Sequence, residues 1–280
     1  MSVNVGRAAL DWPQEQWDRL DRAVHDEATR SGVAATLIPL VGPFPDVLTV
    51  PADVISPGRL AIDEGQITPL VELQAAFTLT QQQADGDPGS LTAITLAVRA
   101  TSLIVLAEDL LIFRGDAAAL PELVGRRGSI GIGLVDSAPD PVIPVAPAED
   151  GHFGERTFAA VVEAIAELGT RGHVGPYAVA LHSELYADSF APLPGTLIAP
   201  ADRIRPLATQ GFAGTGALPA GTGVVFSVGG NVIDLVIGVD PLTSFTQVGA
   251  DGMLQLRVFE RFALRIKDAT AIVRLRFGDG

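Results

Sequence analysis

The chain has 280 residues, of which 48% are hydrophobic, a formal net charge of −14 and a mean hydropathy of +0.34. This acidity argues against nucleic acid as a partner, because phosphate binding requires clustered Lys and Arg, and the absence of cysteine excludes disulfides and thiolate metal sites. No stretch offers the roughly 20 nearly uninterrupted apolar residues of a membrane span. We therefore expect a soluble assembly whose subunits bury apolar surface against each other.

The first predicted element is an amphipathic helix that begins near Pro13, since proline is favoured at the first helical position. Its apolar stripe has helical spacing and consists of Trp17, Leu20, Val24 and Ala28. Two interpretations remain open: the stripe packs on the core, or it belongs to a groove shared with a partner peptide. Residues 37–50 are apolar but interrupted by prolines, which is typical of irregular or edge-strand structure.

Two elements in the middle of the chain have strong patterns. Residues 71–80 alternate between apolar and polar side chains, which predicts a strand with one face in water. Leu91–Phe113 is apolar almost all round, which predicts a long helix that is buried on several sides and ends at Gly115. We call this segment the spine helix.

The second half of the chain predicts a further series of elements. Residues 117–150 are rich in Ala, Gly and Pro and are interpreted as a connection between subdomains. The elements after it are a helix over 158–168, a strand at Tyr177–Leu181, a short helix at Ser183–Phe190 and two or three strands within Gly223–Val239. The chain ends in a predicted hairpin. Its first strand, 254–267, has an apolar and a basic face, and it turns near Asp268 into a second strand, 271–277.

Candidate catalytic residues do not combine into a recognisable site. Glu108 and Asp109 could form an acid/base pair, although a cap or a salt bridge to Arg114 explains them more simply. The histidines lack the helical spacing of paired metal ligands; they are His25, His152, His173 and His182. The glycine-rich run 128–133 lacks the strand–loop–helix context of a phosphate loop, so we interpret it as a flexible turn. These patterns indicate a structural or interaction protein with no catalytic or metal site.

Several short stretches share the order and spacing of one known family. They are Trp17-Asp18-Arg19-Leu20-Asp21, Gly42-Pro43-Phe44, Thr68–Leu73, Phe77-Thr78-Leu79, Glu108–Gly115, Gly175-Pro176-Tyr177 and Ala269–Phe277. Together they resemble the encapsulin shell proteins of family 1, the linocin or bacteriocin type, which share the HK97-type phage capsid fold. The resemblance spans nearly the whole chain.

The resemblance implies an α+β fold of the HK97 type, with a peripheral domain, an extended loop and an axial domain. The implied segments are an N-terminal helix and the start of the peripheral domain (1–50), the extended loop (51–66), the peripheral domain with the spine helix (67–150), the axial domain (151–232) and return strands of the peripheral domain (233–280). In such shells the axial loops meet at the fivefold axes. The implied pore loop is Pro192, Leu193, Pro194, Gly195 and Thr196.

The implied function is a cytoplasmic, icosahedral nanocompartment of about sixty or more copies that encloses a cargo enzyme. In the family a C-terminal targeting peptide of the cargo, for example a ferritin-like protein or a dye-decolorising peroxidase, docks on the inner wall. The implied groove consists of Leu20, Val24, Ala28, Leu37, Leu40 and Leu242. Ala34–Thr36 replace a Gly-Arg-Arg or Gly-Arg-Lys element of the family, which removes the usual charge contact with the peptide. Gln81–Gln83 replace an aromatic flavin platform, so we predict no cofactor.

Two other function classes remain open at this point. A phage or prophage major capsid protein of the same fold is the first alternative. The acidic net charge argues against direct DNA packing, although the row Arg257, Arg261 and Arg265 could form a basic inner strip. The second alternative is an enzyme, such as a protease or bacteriocin-type protein.

Overall fold

A computed structural model describes the chain over residues 6–56, 60–85, 89–149, 151–192 and 197–278. The α-helices in these ranges are α1 (Gln14–Ser31), α2 (Ala34–Leu37), α3 (Gln81–Asp85), α4 (Gly89–Arg114), α5 (Leu134–Ser137), α6 (Gly154–Thr170), α7 (Ser183–Asp188) and α8 (Pro200–Ile204). The strands are β1 (Leu40–Val41), β2 (Thr49–Pro51), β3 (Val54–Ile55), β4 (Ile62–Asp63), β5 (Ile67–Pro69), β6 (Val71–Leu79), β7 (Val124–Arg127), β8 (Ile143–Val145), β9 (Tyr177–His182), β10 (Gly211–Thr215), β11 (Thr222–Ser227), β12 (Ile233–Val248), β13 (Leu254–Ile266) and β14 (Ile272–Phe277).

The larger core lies between two helices and one face of a five-stranded sheet, which we call the main sheet. Its strand order is β1-β12-β13-β6-β7. Helices α1 and α4 lie side by side on this face. Strand β6 turns its odd-numbered residues inward because side chains alternate along a strand, and Val71 and Leu73 are fully buried there. The predicted spine helix is confirmed as α4, which buries residues such as Ala97, Ile104 and Leu111.

The opposite face of the main sheet is polar. Arg257 on β13 binds Glu72 at 3.2 Å and also contacts Gln74, both on β6. The predicted division of β13 into an apolar and a basic face is confirmed, since Leu256 and Val258 belong to the helix-covered core. We call this face the arginine face.

A second sheet carries its own smaller core. Its strand order is β10-β9-β11-β14-β8, and α6 packs against it. The amphipathic pattern predicted for this helix is confirmed, with Val161, Ala164 and Leu168 fully buried. The sheet includes β8 and β14, which lie outside residues 151–232. The domain boundaries that the family resemblance implies stay a prediction.

The predicted C-terminal hairpin is wrong. Strand β13 pairs with β12 and β6, whereas β14 pairs with β11 and β8 in the second sheet. A 3-10 turn at Ala269–Ala271 separates the two strands, and the side chain of Asp268 accepts a hydrogen bond from Thr270 N–H there. Strand β14 buries Ile272, Val273 and Leu275 on both faces, which suits an inner strand of a covered sheet.

The predicted connection over residues 117–150 is also more structured than expected. It supplies β7 to the edge of the main sheet and β8 to the edge of the second sheet. Gly and Pro limit these strands to four and three residues, so their patterns are too short to show in the sequence.

The segment between β2 and β5 leaves the main sheet as an arm, which we define as residues 49–69. Strand β2 pairs with β5 and β3 pairs with β4, both antiparallel. The predicted extended loop, 51–66, lies within this arm, and residues 57–59 lie outside the described part of the chain.

Candidate functional site

A buried ion network ties the base of the arm to the main sheet. Arg265 on β13 donates to Asp53 of the arm at 2.8 Å and to the Pro51 carbonyl at 3.2 Å. The same guanidinium contacts Asp234 on β12 at 2.7 Å, and Lys267 Nζ lies 2.7 Å from the other Asp234 oxygen. Two cations thus neutralise Asp234 while one of them holds the arm. This network fixes the direction in which the arm leaves the sheet.

The arm itself exposes apolar side chains. Leu60, Ile62 and Ile67 are all exposed, as is Leu48 just before the arm. Two-stranded sheets of two or three residues per strand are marginal in water on their own, and their outer edges leave backbone groups unpaired. The arm therefore has the properties of a segment that needs another surface to cover it.

The predicted groove residues divide into core and surface positions. Leu20, Val24 and Leu37 are buried in the larger core, so their side chains are not available to a peptide in this conformation. Ala28 is half-buried on α1, and Leu40 is exposed at the start of β1. Of the two interpretations of the α1 stripe, core packing and a peptide groove, core packing describes Leu20 and Val24.

Leu242 lies on the other side of the main sheet from α1. It pairs with Phe259, and directly opposed residues of antiparallel strands share a face. Phe259 lies beneath the guanidinium of Arg257 and so belongs to the arginine face. The structure does not bring Leu242 together with Leu40.

An exposed apolar pair lies on the helix-covered side of the subunit instead. Leu40, which is 54% exposed, pairs with the core residue Leu235 and shares its face. Leu106 on α4 is 43% exposed and lies one helical turn before Asp109. Because Asp109 is bonded to the start of α2, Leu106 lies close to the corner between α1 and α2. The sequence did not single out Leu106, since it is one of many apolar residues in α4.

Asp109 caps a helix, as the sequence suggested. The capped helix is α2 and not the spine helix to which Asp109 belongs. Its carboxylate accepts from Ala34 N–H at 2.8 Å and from Val33 N–H at 3.2 Å, at the start of α2. Burial raises the pKa of Asp109 to about 6 in spite of these two bonds. Burial, with the nearby charges of Asp109 and Asp240, raises the pKa of Glu108 to about 8.

Three of the four histidines lie beside different side chains. His152 Nδ1 lies 2.6 Å from Asp188, His173 Nε2 lies 2.8 Å from the Thr270 hydroxyl, and His182 Nδ1 lies 3.9 Å from Glu184. Over the described ranges, no three His, Asp or Glu side chains are placed to hold a metal ion. Among the same residues, none of the helices combines the length and apolarity of a membrane crossing.

The glycine-rich run 128–133 is an ordered loop, not the flexible turn that the sequence suggested. Asp116 accepts from Ile130 N–H and Gly131 N–H, both at 3.1 Å, and from the Ser129 hydroxyl. Arg126 adds an ion pair at 2.9 Å. Partial burial by itself raises the pKa of Asp116. These hydrogen bonds and the ion pair outweigh it and hold that pKa below its ordinary value.

Only the first residue of the predicted pore loop can be placed. Pro192 is exposed and follows α7, and Leu193–Thr196 lie outside the described residues. The loop connects α7 to α8, both of which pack against the second sheet or its helix α6.

Comparison with known proteins identifies the family. The Linocin_M18 family, described as "Encapsulating protein for peroxidase", matches residues 2–263. The type 1 encapsulin shell protein EncA of Myxococcus xanthus is 31% identical over 289 residues, covering 97% of this chain and 96% of that protein.

Solved structures agree on the fold. A virus-like particle from Pyrococcus furiosus gives a TM-score of 0.71 at 16% identity, covering 94% of this chain and 100% of that chain. The capsid of a native GTA particle gives 0.58 at 17% identity, covering 90% of each chain. The predicted α+β fold of the HK97 capsid type is confirmed by these matches. Because one relative and one family profile each match nearly the whole length, this chain belongs to the encapsulin family of shell proteins.

Proposed function

We propose that this chain assembles into a closed icosahedral nanocompartment of about sixty or more copies in the cytoplasm, and that the shell encloses a cargo enzyme. The observation that carries the proposal is the arm. Its exposed apolar residues and its short, unprotected strand edges need a second copy to cover them. Closed symmetry covers the same surface on every subunit and leaves no free interface.

The arm provides a direct test of assembly. Ile62→Asp combined with Ile67→Asp replaces two exposed apolar side chains with charges that would be buried at a contact between subunits. We expect the variant to remain folded but to form no closed particles, as seen by negative-stain microscopy and light scattering. Glu64→Ala is the matched control, since it changes an exposed arm residue without removing apolar surface; it should leave the particles intact.

Wild-type protein that forms only a small oligomer would contradict the shell itself. If the double Asp variant still formed closed particles, the arm would not be part of the contact between subunits.

We further propose that the cargo's C-terminal peptide binds on the helix-covered side of the subunit, beside Leu40 and Leu106. The support is that Leu40 and Leu106 expose apolar surface on this side and Ala28 is half-buried, whereas the other helix-side residues of the predicted groove are buried. The family description supports a peroxidase as one cargo class, and a ferritin-like protein is the second. The pore rim at Pro192–Thr196 is part of the proposal on the family resemblance alone.

Cargo loading tests this surface without disturbing the core. We expect Leu40→Asp and Leu106→Asp each to reduce the cargo that co-purifies with the particles, because a charge in an apolar contact is left without a partner. The measurement is the ratio of cargo to shell after co-expression with a peroxidase that carries its own C-terminal peptide. Val248→Asp, at an exposed residue at the end of β12, serves as the matched control for loading. Unchanged loading in both groove variants would place the peptide elsewhere.

A further inference from the structure

Three buried carboxyl groups lie near one another where the spine helix packs against the main sheet. Glu108 and Asp109 lie near the C-terminal end of α4, and Glu260 lies on β13. All three are buried, with 6%, 4% and 3% of their surface exposed. Ordinary burial of acidic residues is accompanied by cations or full hydrogen bonding, so this cluster needs an explanation.

Glu260 points towards the helix. The even-numbered residues of β13, such as Leu256 and Phe262, belong to the core covered by α4, and Glu260 has the same parity. Between the pairs Val239–Arg261 and Leu242–Phe259, β12 has two residues, Asp240 and Pro241, opposite the single residue Glu260, which is a β-bulge. One oxygen of Glu260 is buried and accepts no hydrogen bond within the described part of the chain. An ionised carboxylate with a bare buried oxygen is strongly disfavoured.

The charges around Glu260 do not neutralise it. Those that act on it most are carboxylates, namely Glu108, Asp109 and Asp240. Three charged side chains of the adjoining segments have other partners. Arg7 is bonded to Asp21 and to the Thr243 carbonyl, Arg261 lies on the arginine face and donates to Pro45, and Glu27 of α1 is bonded to Ser102 and Arg30.

Burial and mutual repulsion therefore favour the protonated forms. Burial, followed by the charges of Glu108, Asp109 and Asp240, raises the pKa of Glu260 well above its ordinary value. The same causes act on Glu108, as described above. At neutral pH Glu108 and Glu260 thus keep protons that exposed carboxyl groups have already lost, whereas Asp109 releases its proton at about pH 6.

We propose that Glu108, Asp109 and Glu260 form a proton-dependent joint between the spine helix and the main sheet. With its protons bound the joint is closed, and when they leave, the charges repel one another and loosen the helix from the sheet. The joint belongs to each subunit, so it operates in a monomer, an oligomer or a shell. Simultaneous loosening of a closed shell is a consequence that rests on the proposed function.

The direction of the pH effect follows from proton binding. A carboxyl group that binds its proton more tightly in the folded chain stabilises the fold fully below its unfolded pKa. That contribution is lost as the pH rises through the folded pKa. For Glu108 the loss extends from 4.5 to about 8, and for Asp109 from 3.8 to about 6. The joint therefore weakens on the alkaline side.

The test is the thermal unfolding of wild type, Glu260→Gln and Glu163→Gln between pH 6 and 9. Glutamine resembles the protonated carboxyl group in shape and cannot ionise. We expect the wild-type unfolding temperature to fall by roughly 5–10 °C across this range and the Glu260→Gln value to fall by less than half as much. Glu163 is an exposed residue of α6, and Glu163→Gln should follow the wild type.

A second measurement begins with the wild type alone, and that part does not depend on the folding of any variant. Infrared spectra of the wild type at pH 7 should show the carbonyl band of protonated carboxyl groups, and Glu108→Gln or Glu260→Gln should weaken it. Absence of that band in the wild type, or equal pH slopes for wild type and Glu260→Gln, would overturn the joint. Microscopy of the same samples tests the shell separately. If unfolding depended on pH but no particles formed, the shell would be contradicted and the proposed joint would not.

Discussion

Asp234 is buried without any exposed surface, and two cations depend on it. Arg265 lies 2.7 Å and Lys267 Nζ also 2.7 Å from its oxygens. A buried ion pair adds little net stability, because desolvation of the charges offsets their attraction. Removal of one member is a different matter, since it leaves the partner charge uncompensated inside the protein.

We expect Asp234→Ala to lower the free energy of unfolding by about 3–5 kcal/mol, because Lys267 and Arg265 then remain buried with too little negative charge. Denaturant titration of the purified variant measures this loss. Asp136→Ala is the control: its carboxylate is 58% exposed and lies 3.4 Å from Arg274, and an exposed pair of this kind contributes at most about 1 kcal/mol. Equal losses in the two variants would mean that the buried network has no special role.

The spine helix is followed by a glycine in the left-handed region. Gly115 follows α4 with a φ of +67°, in the left-handed region, and an added Cβ would lie 2.4 Å from the Gly131 carbonyl oxygen and 2.5 Å from Gly133 N. The glycine-rich loop can therefore approach the helix end only because no side chain is present. This close approach also positions the loop for its bonds to Asp116.

Gly115→Ala should destabilise the subunit by more than the roughly 1–2 kcal/mol that a left-handed alanine costs, because the backbone of the loop must also move. Gly252→Ala separates the two effects. Gly252 has a φ of +76°, and nothing lies within 4 Å of an added Cβ, so only the backbone cost remains. The check is the difference in unfolding midpoint between the two variants. A difference near zero would show that the loop yields without cost.

The elements with long patterns are the ones that the sequence predicted. The spine helix, the alternating strand at 71–80 and the helix over 158–168 each bury a face defined by many residues, so periodicity alone identified them. Strand β14 was assigned to the wrong sheet because its own pattern fits either partner, and the choice depends on the distant strands β11 and β8. The extended loop and the fold type came from the family resemblance, since two-residue strands carry no period.

The site was less predictable than the fold. An apolar stripe shows that Leu20 and Val24 face something, but the sequence does not say whether that surface is the core or a partner, and burial decided for the core. Leu242 came from the family resemblance alone, and its pairing with Phe259 places it on the arginine face, away from Leu40. Glu260 was missed although its even number places it on the apolar face of the predicted strand 254–267, where an acidic residue is unusual.

At the scale of the whole subunit, two sets of carboxyl groups oppose each other as the pH changes. The buried cluster loses its stabilising protons as the pH rises. Asp116 and Asp188 act in the opposite sense. Partial burial by itself raises the pKa of each carboxyl group, but hydrogen bonds from backbone N–H groups and neighbouring side chains outweigh it and lower that pKa. Their contribution is present above the ordinary pKa of 3.8 and is lost as the pH falls through the lower folded value.

The two sets together predict maximal stability at mildly acidic pH. Asp188→Asn should flatten only the acid side of the unfolding profile, because it removes the carboxylate that accepts from Phe153 N–H and Gly154 N–H at the start of α6. Thermal unfolding from pH 3 to 9 measures both sides in one series. A change confined to the alkaline side would contradict the assignment of Asp188.

The buried network at the base of the arm also determines how the protein reacts with labelling reagents. Lys267 is the chain's only lysine, it is 7% exposed, and its ammonium group is paired with Asp234. Reagents that target primary amines therefore find no accessible side chain on the folded subunit. Aldehyde fixation therefore cannot join copies of the folded chain through lysine side chains. A lysine introduced at a chosen surface position would then be a unique side-chain address for a dye, an antigen or an immobilised support.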